Sequence, residues 1–214
     1  MSVLFDHIGE LFTGLLVTLE LAVLAFPLAV VVGTVLGVCR VGPVAPLRAA
    51  AGFYVQCLRN SPLLLVLVMV VFGLPYVGAT VPLFGSVVLG LGLYFGAYVC
   101  ETVRSGIAAV PTGQVEAARA IGLTFAGVLR QVVLPQAFRS MAQPLGSIFI
   151  NVSLASALGA AVGVQELTGS ARQFNLDHAQ PIPSFIAAAI GYLLITLTAG
   201  QLTGVIERKV RIRR

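Results

Sequence analysis

The chain has 214 residues, of which 58% are hydrophobic and only 10% charged. Its mean hydropathy of +1.00 is too high for a soluble domain of this length and indicates a membrane protein. A formal charge of +5 does not point to nucleic acid, because no basic patch is interleaved with stacking aromatics, and the bases instead orient the chain in the bilayer.

In chain order, Asp6, His7 and Glu10 lack the basic region and small-residue cleavage site of a signal peptide, so no cleaved leader is expected. Leu4–Leu11 is mildly amphipathic and suits a segment along the outer surface. Crossing a hydrocarbon core of roughly 30 Å takes about 20 apolar residues. The first span is expected over 11–39, with Glu20 near its start. The uncharged interval between Arg59 and Glu101 is too long for one helix, and Gly73-Leu74-Pro75 and Pro82 divide it into spans at 52–72 and 83–103. A fourth span is expected over 135–162 and a fifth over 182–206. The external connection between these two carries Glu166, Arg172 and Asp177 and has room for a short surface helix. The expectation is a single all-α membrane domain, residues 1–214, with five transmembrane helices and no internal repeat.

An odd number of spans puts the termini on opposite sides. The basic tail from Glu207 to Arg214 is of the kind that stays in the cytoplasm, which leaves the N-terminus outside. Arg40, Arg48, Arg104, Arg119 and Arg130 then fall in cytoplasmic connections and only Arg172 faces out.

The connection over 111–134 is the most informative. Pro111 and Thr112 offer a helix start, and Glu116 lies close enough to it to favour the helix dipole. Gly122 ends this helix and Thr124 can cap a second one. Ala118, Ile121, Phe125, Val128 and Val132 recur at helical steps, giving an apolar stripe that either packs on the cytoplasmic ends of the spans or seeks a partner's groove. The residues Glu116-Ala117-Ala118, three more, Gly122, nine more and Val132-Val133-Leu134-Pro135 resemble the EAA loop of ATP-binding-cassette (ABC) importer permeases, with Val132 where that pattern has Ile.

Further motifs extend the likeness to the polar-amino-acid branch of those permeases, glutamate-type ones included. They are Gly14-Leu15-Leu16-Val17-Thr18-Leu19, Arg59-Asn60-Ser61-Pro62-Leu63-Leu64, Ala97-Tyr98 with Glu101, Arg104-Ser105-Gly106-Ile107, Gly113-Gln114 and Pro135-Gln136-Ala137. The resemblance implies a type I ABC importer permease in a bacterial cytoplasmic membrane. Glu116, Ala117, Ala118, Ile121, Gly122, Phe125 and Pro135 would couple it to an ATPase. It also implies partners: a cytoplasmic ABC ATPase dimer that binds ATP and Mg, a sister permease or second copy, an extracytoplasmic amino-acid-binding protein and membrane lipid. No cofactor is expected in this chain, which has no phosphate-binding Gly-Lys-Ser/Thr loop and is not read as an enzyme.

For the substrate pathway, the resemblance singles out Arg59, Glu101, Asn151, Ser153 and Ser156. Family members often carry Lys where this chain has Ile150, and a sister permease could supply that cation, which favours a heterodimer. The polar seam of Asn151, Ser153 and Ser156 is equally compatible with interhelical hydrogen bonding. Arg59 and Glu101 are expected to pair with each other, or Glu101 with Arg104. A secondary transporter is the alternative reading, but it would need mid-membrane acid or histidine relays and usually a repeat. Cys39, Cys57 and Cys100 lack metal spacing and are expected to be buried hydrophobes. His7 and His178 are expected at the surface.

Overall fold

A computed structural model describes residues 8–210. His7 and residues 211–214 of the basic tail lie outside the described residues, and the surface segment expected over Leu4–Leu11 is described only from Ile8, where it already belongs to the first span. Among the described residues every regular element is helical.

Helix α1, Ile8–Val41, has 34 residues and is about 51 Å long at 1.5 Å per residue, so it outreaches a core of roughly 30 Å. It packs along its length on α4, Leu83–Ala108. The seam is made by two glycine pairs at four-residue spacing, one on each helix. Gly33 and Gly37 of α1 receive Val99 and Val103, while Gly92 and Gly96 of α4 receive Leu28 and Val32. A Cβ on Gly96 would come within 3.0 Å of Val32. Bare backbone at these positions lets the two helices approach closely, which is how helices associate in lipid, where no hydrophobic effect drives them together.

The span expected over 52–72 is not one helix. Helix α2, Ala45–Arg59, and helix α3, Leu63–Val68, which continues through a π turn (Met69–Gly73) and a 3-10 turn (Leu74–Val77), meet at an angle of 107°. Pro62 has no N–H to continue α2 and steers Ser61 away from helical geometry. The freed carbonyls are taken locally, with Asn60 Nδ2 donating to Gln56 O (2.7 Å) and Ser61 Oγ to Cys57 O (2.7 Å). Four other helical segments are long and apolar enough to cross a membrane, and the bent pair makes a fifth crossing if counted as one span.

The fourth span also starts later than expected. A break at Met141 separates α7, Leu134–Ser140, from α8, Ala142–Ala155, which runs on as a 3-10 turn over Ser156–Val162. Helix α9, Leu167–His178, fills the connection between the fourth and fifth spans, and α10, Pro181–Val210, is the last span. The expected short helix is present and half sunk, with Arg172, Gln173, Leu176 and Asp177 exposed on one face. Leu167 and Ala171 pack with Leu11 and Ala188, and Phe174 is fully buried.

Candidate functional site

The connection over 111–134 folds as α5, Thr112–Ala120, then α6, Phe125–Val128, and a π turn over Leu129–Val133 that leads into α7. Gly122 sits between α5 and α6 at φ +89°, and the chain closes there through Leu123 N–H to Ala118 O (3.2 Å) and Gly122 N–H to Arg119 O (2.9 Å). This pair of bonds is the Schellman arrangement, which needs a left-handed residue and is nearly free for glycine alone. Thr124 caps α6 as expected, its Oγ1 accepting from Gly127 N–H at 3.2 Å. Thr112 makes no cap of its own; α5 starts behind Pro111.

The turn divides the expected stripe between two faces. Ala118 and Val128 are buried with Val110 and Val133, and Val132 packs beside them. Ile121 is 80% exposed and Phe125 51% exposed. Glu116, Ala117 and Pro135 are exposed as well. One half of the motif therefore fastens the helix pair to the protein, and the other presents two large apolar side chains outward. Gln136 Nε2 donates to Gln114 Oε1 (2.6 Å) and to Val132 O (3.0 Å), tying α5 to α7 at the foot of the fourth span.

Above the helix pair, a cavity of about 460 Å³ is lined by Arg59, Tyr98, Glu101, Ser105, Ser140 and Met141. A second recess of about 360 Å³ adjoins it, shares Arg59, Tyr98 and Glu101, and adds Arg40, Gln56 and Asn60. Glu101 does not pair with Arg59. Arg40 Nη1 donates to one carboxylate oxygen, and Arg104 Nη2 reaches the other at 2.9 Å. Arg59 instead lies over the Tyr98 ring, 5.3 Å from its centroid, and makes no ion pair among the described residues. The expected Glu101–Arg104 pair is present; Arg40, the last basic residue of α1, was missed. Its signal was its place in the last turn of α1, level with Glu101 once α1 and α4 are paired in parallel register.

The polar seam of α8 is not a seam. Ser153 and Ser156 are fully buried and donate to their own helix, to Phe149 O (2.9 Å) and Ser153 O (2.7 Å), while Asn151 is exposed on another face. Hydroxyls in an apolar helix fall back on nearby carbonyls when no partner faces them. Cys100 is buried as expected, but Cys57 is exposed and Cys39 half-buried, and all three are free thiols. His178 is stacked on Phe174, with centroids 4.5 Å apart.

Glu166 is the polar centre that the sequence reading overlooked. It is fully buried at the N-terminus of α9, accepting from Gly169 N–H (2.9 Å), Thr168 N–H (3.0 Å), Thr18 Oγ1 (3.2 Å) and the Tyr192 hydroxyl. Thr18 Oγ1 in turn accepts from Leu167 N–H at 3.1 Å. One carboxylate thus joins α1, α9 and α10 at the end of the bundle opposite the helix pair. Its charge suggested a surface loop, and only the N-cap pattern of Glu before Leu-Thr-Gly could have pointed inward.

A helical membrane bundle with a fastened helix pair at one end, bearing exposed apolar side chains, defines a transporter subunit built to work with a partner outside the membrane. The chain belongs to the family of binding-protein-dependent transport system inner membrane components, whose model matches residues 12–212. It is 33% identical over 229 residues to the glutamate transport system permease protein GluC of Corynebacterium efficiens, covering 100% of both chains. It is 32% identical over 211 residues to the probable glutamine ABC transporter permease protein GlnM of Bacillus subtilis, covering 98% of this chain and 97% of that one. Its fold matches a crystal structure of an amino acid ABC transporter with histidines, at 32% identity, a TM-score of 0.89 and 96% coverage of each chain. The fold is that of a type I ABC importer permease, and the chain is a multi-pass membrane protein of a transport family, not an enzyme.

Proposed function

We propose that this chain forms the translocation pathway of an ATP-driven amino-acid importer, glutamate or a related polar amino acid being the cargo, and couples that pathway to a cytoplasmic ATPase dimer. The observation that carries this reading is the exposure of Ile121 and Phe125 on a helix pair whose other face is buried against the inner ends of the spans. Two bulky apolar groups held outward by a rigid turn suit a groove on a partner that lies outside the bilayer. ATP and Mg are bound by that partner, and an extracytoplasmic binding protein delivers the amino acid at the end where Glu166 holds α1, α9 and α10 together.

In this reading the N-terminus is outside and the C-terminus cytoplasmic. The amino acid passes the cavity of Arg59, Tyr98 and Glu101, where the guanidinium of Arg59 pairs with no carboxylate among the described residues and is available to the cargo's. Closure of the ATPase dimer pushes the helix pair, and the Gln114–Gln136 contact passes the movement to α7 and the fourth span. A sister permease, in preference to a second copy, completes the pathway and supplies the cation missing at Ile150. The test is reconstitution of this permease, its sister, the ATPase and the binding protein in vesicles. Uptake of labelled amino acid should require ATP, Mg and the binding protein together; uptake driven by an ion gradient without ATP would refute the reading.

A further inference from the structure

An apolar cleft of about 530 Å³ opens between α1, α7, α8 and α10, away from the polar cavity. Val30, Leu145, Leu202 and Ile206 form its walls. Phe26 and Phe149 also line it and meet edge to face with centroids 5.3 Å apart. Phe26 stands about 21 Å along α1 from Arg40 at 1.5 Å per residue, so the cleft reaches from the end of the bundle that bears the helix pair well into the hydrocarbon. Its lining recurs along the helices, over Ala142, Leu145 and Phe149 on α8 and Ala199, Leu202 and Ile206 on α10. Beside it, Val23, Val31, Leu194 and Leu197 are more than half exposed, as side chains in contact with lipid would be.

Among the described residues lining the cleft, Arg139 alone is charged. It is exposed, ends α7 at the membrane surface, and makes no ion pair among the described residues. On α10, Ile206 of the cleft wall is followed by Glu207 and then by the exposed Arg208 and Lys209, which leave a net positive charge at that end of the helix. An apolar cleft with bases at one end and aromatic rings at depth matches the two halves of a phospholipid.

We infer that this cleft is a binding site for an anionic phospholipid. One acyl chain lies between α8 and α10 and reaches the Phe26–Phe149 pair, and the phosphate sits on Arg139, with Arg208 and Lys209 adding attraction for a negatively charged headgroup. A phospholipid offers an acyl chain to the apolar walls and a phosphate to the arginine beside them. Bound there, the lipid would brace α7 against α10 where the helix pair joins the fourth span.

The test uses the purified complex with its ATPase, equilibrated with vesicles of equal parts phosphatidylglycerol and phosphatidylethanolamine, washed in detergent and analysed by mass spectrometry. The intact complex should retain phosphatidylglycerol in preference to phosphatidylethanolamine. Arg139→Gln should lower that preference about fivefold, the worth of one basic residue near an anionic surface, whereas Arg48→Gln should leave it unchanged. Leu202→Trp, which fills the cleft from its exposed wall, should reduce retention of both lipids. Equal retention of the two headgroups by the intact complex would overturn the inference, as would an Arg139→Gln complex as selective as the parent. A disulfide formed between Leu202→Cys and the neighbouring permease would likewise place protein, not lipid, in the cleft.

Discussion

The guanidinium carbon of Arg59 rests 5.3 Å from the centroid of the Tyr98 ring, beside a Glu101 already engaged by Arg40 and Arg104. The ring face partly offsets the cation without neutralising it, which leaves a fork of donors facing the cavity. Removal of the charge by Arg59→Gln should raise the KM for amino-acid uptake roughly 10- to 100-fold, the worth of a charge-assisted hydrogen bond. Arg59→Lys should recover part of it, since an ammonium keeps the charge but loses the fork. Assembly with the ATPase should be unaffected; uptake kinetics measured on assembled complexes distinguish a pathway role from a folding role, and an unchanged KM would remove Arg59 from the pathway.

Glu166 accepts four hydrogen bonds from three separate elements while fully buried. Glu166→Ala strands buried donors and should cost about 2–4 kcal/mol of stability. Tyr192→Phe removes one donor and should cost about 1 kcal/mol. Thermal unfolding in detergent reads both, and the losses should fall short of additive in the double variant, because the two groups share one bond.

At Gly122 a Cβ would meet no atom within 4 Å, although φ is +89°. The penalty for substitution is therefore conformational, about 1–2 kcal/mol for any ordinary residue. Gly122→Ala and Gly122→Leu should lower transport to a similar degree, and Gly122→Asn should be milder because Asn tolerates the left-handed region. Comparison of uptake at equal expression checks this. A Leu variant far worse than the Ala variant would mean that the turn is enclosed by a partner.

The orientation can be read with an impermeant thiol reagent on intact cells, in a chain from which the native cysteines have been removed. Tyr76→Cys, at a side chain 93% exposed beyond the end of α3, should react. Gly113→Cys, at an exposed position in α5, should react only after the cells are opened. Labelling of Gly113→Cys in sealed cells would invert the topology.

Most of the apolar helices were legible in the sequence because length and hydropathy determine them, and the helix pair around Gly122 because Gly122 and Thr124 leave local signatures. What escaped was what depends on register between distant elements. Pro62 marked a break whose 107° angle no periodicity encodes. The Gly33/Gly37 and Gly92/Gly96 seam was visible as spacing, but its meaning depends on the two helices facing each other. The charges of Arg40 and Glu166 were read by their neighbours in sequence, whereas their partners lie 61 and 148 residues away. Ser153 and Ser156 show the converse, since their buried hydroxyls are satisfied within their own helix.

Whether Ile121 is the contact through which ATP hydrolysis reaches the spans is decided by the amount of ATPase that co-purifies with the membrane-inserted permease. An apolar side chain of this size buried in a partner's groove contributes about 2 kcal/mol or more, so Ile121→Asp should weaken the association roughly 30-fold and abolish ATP-driven uptake. Ile190→Asn, an exposed position in α10 far along the chain from the helix pair, should retain the ATPase. An Ile121→Asp permease that still carries a full complement of ATPase and imports at the parent rate would contradict the coupling role of this helix pair.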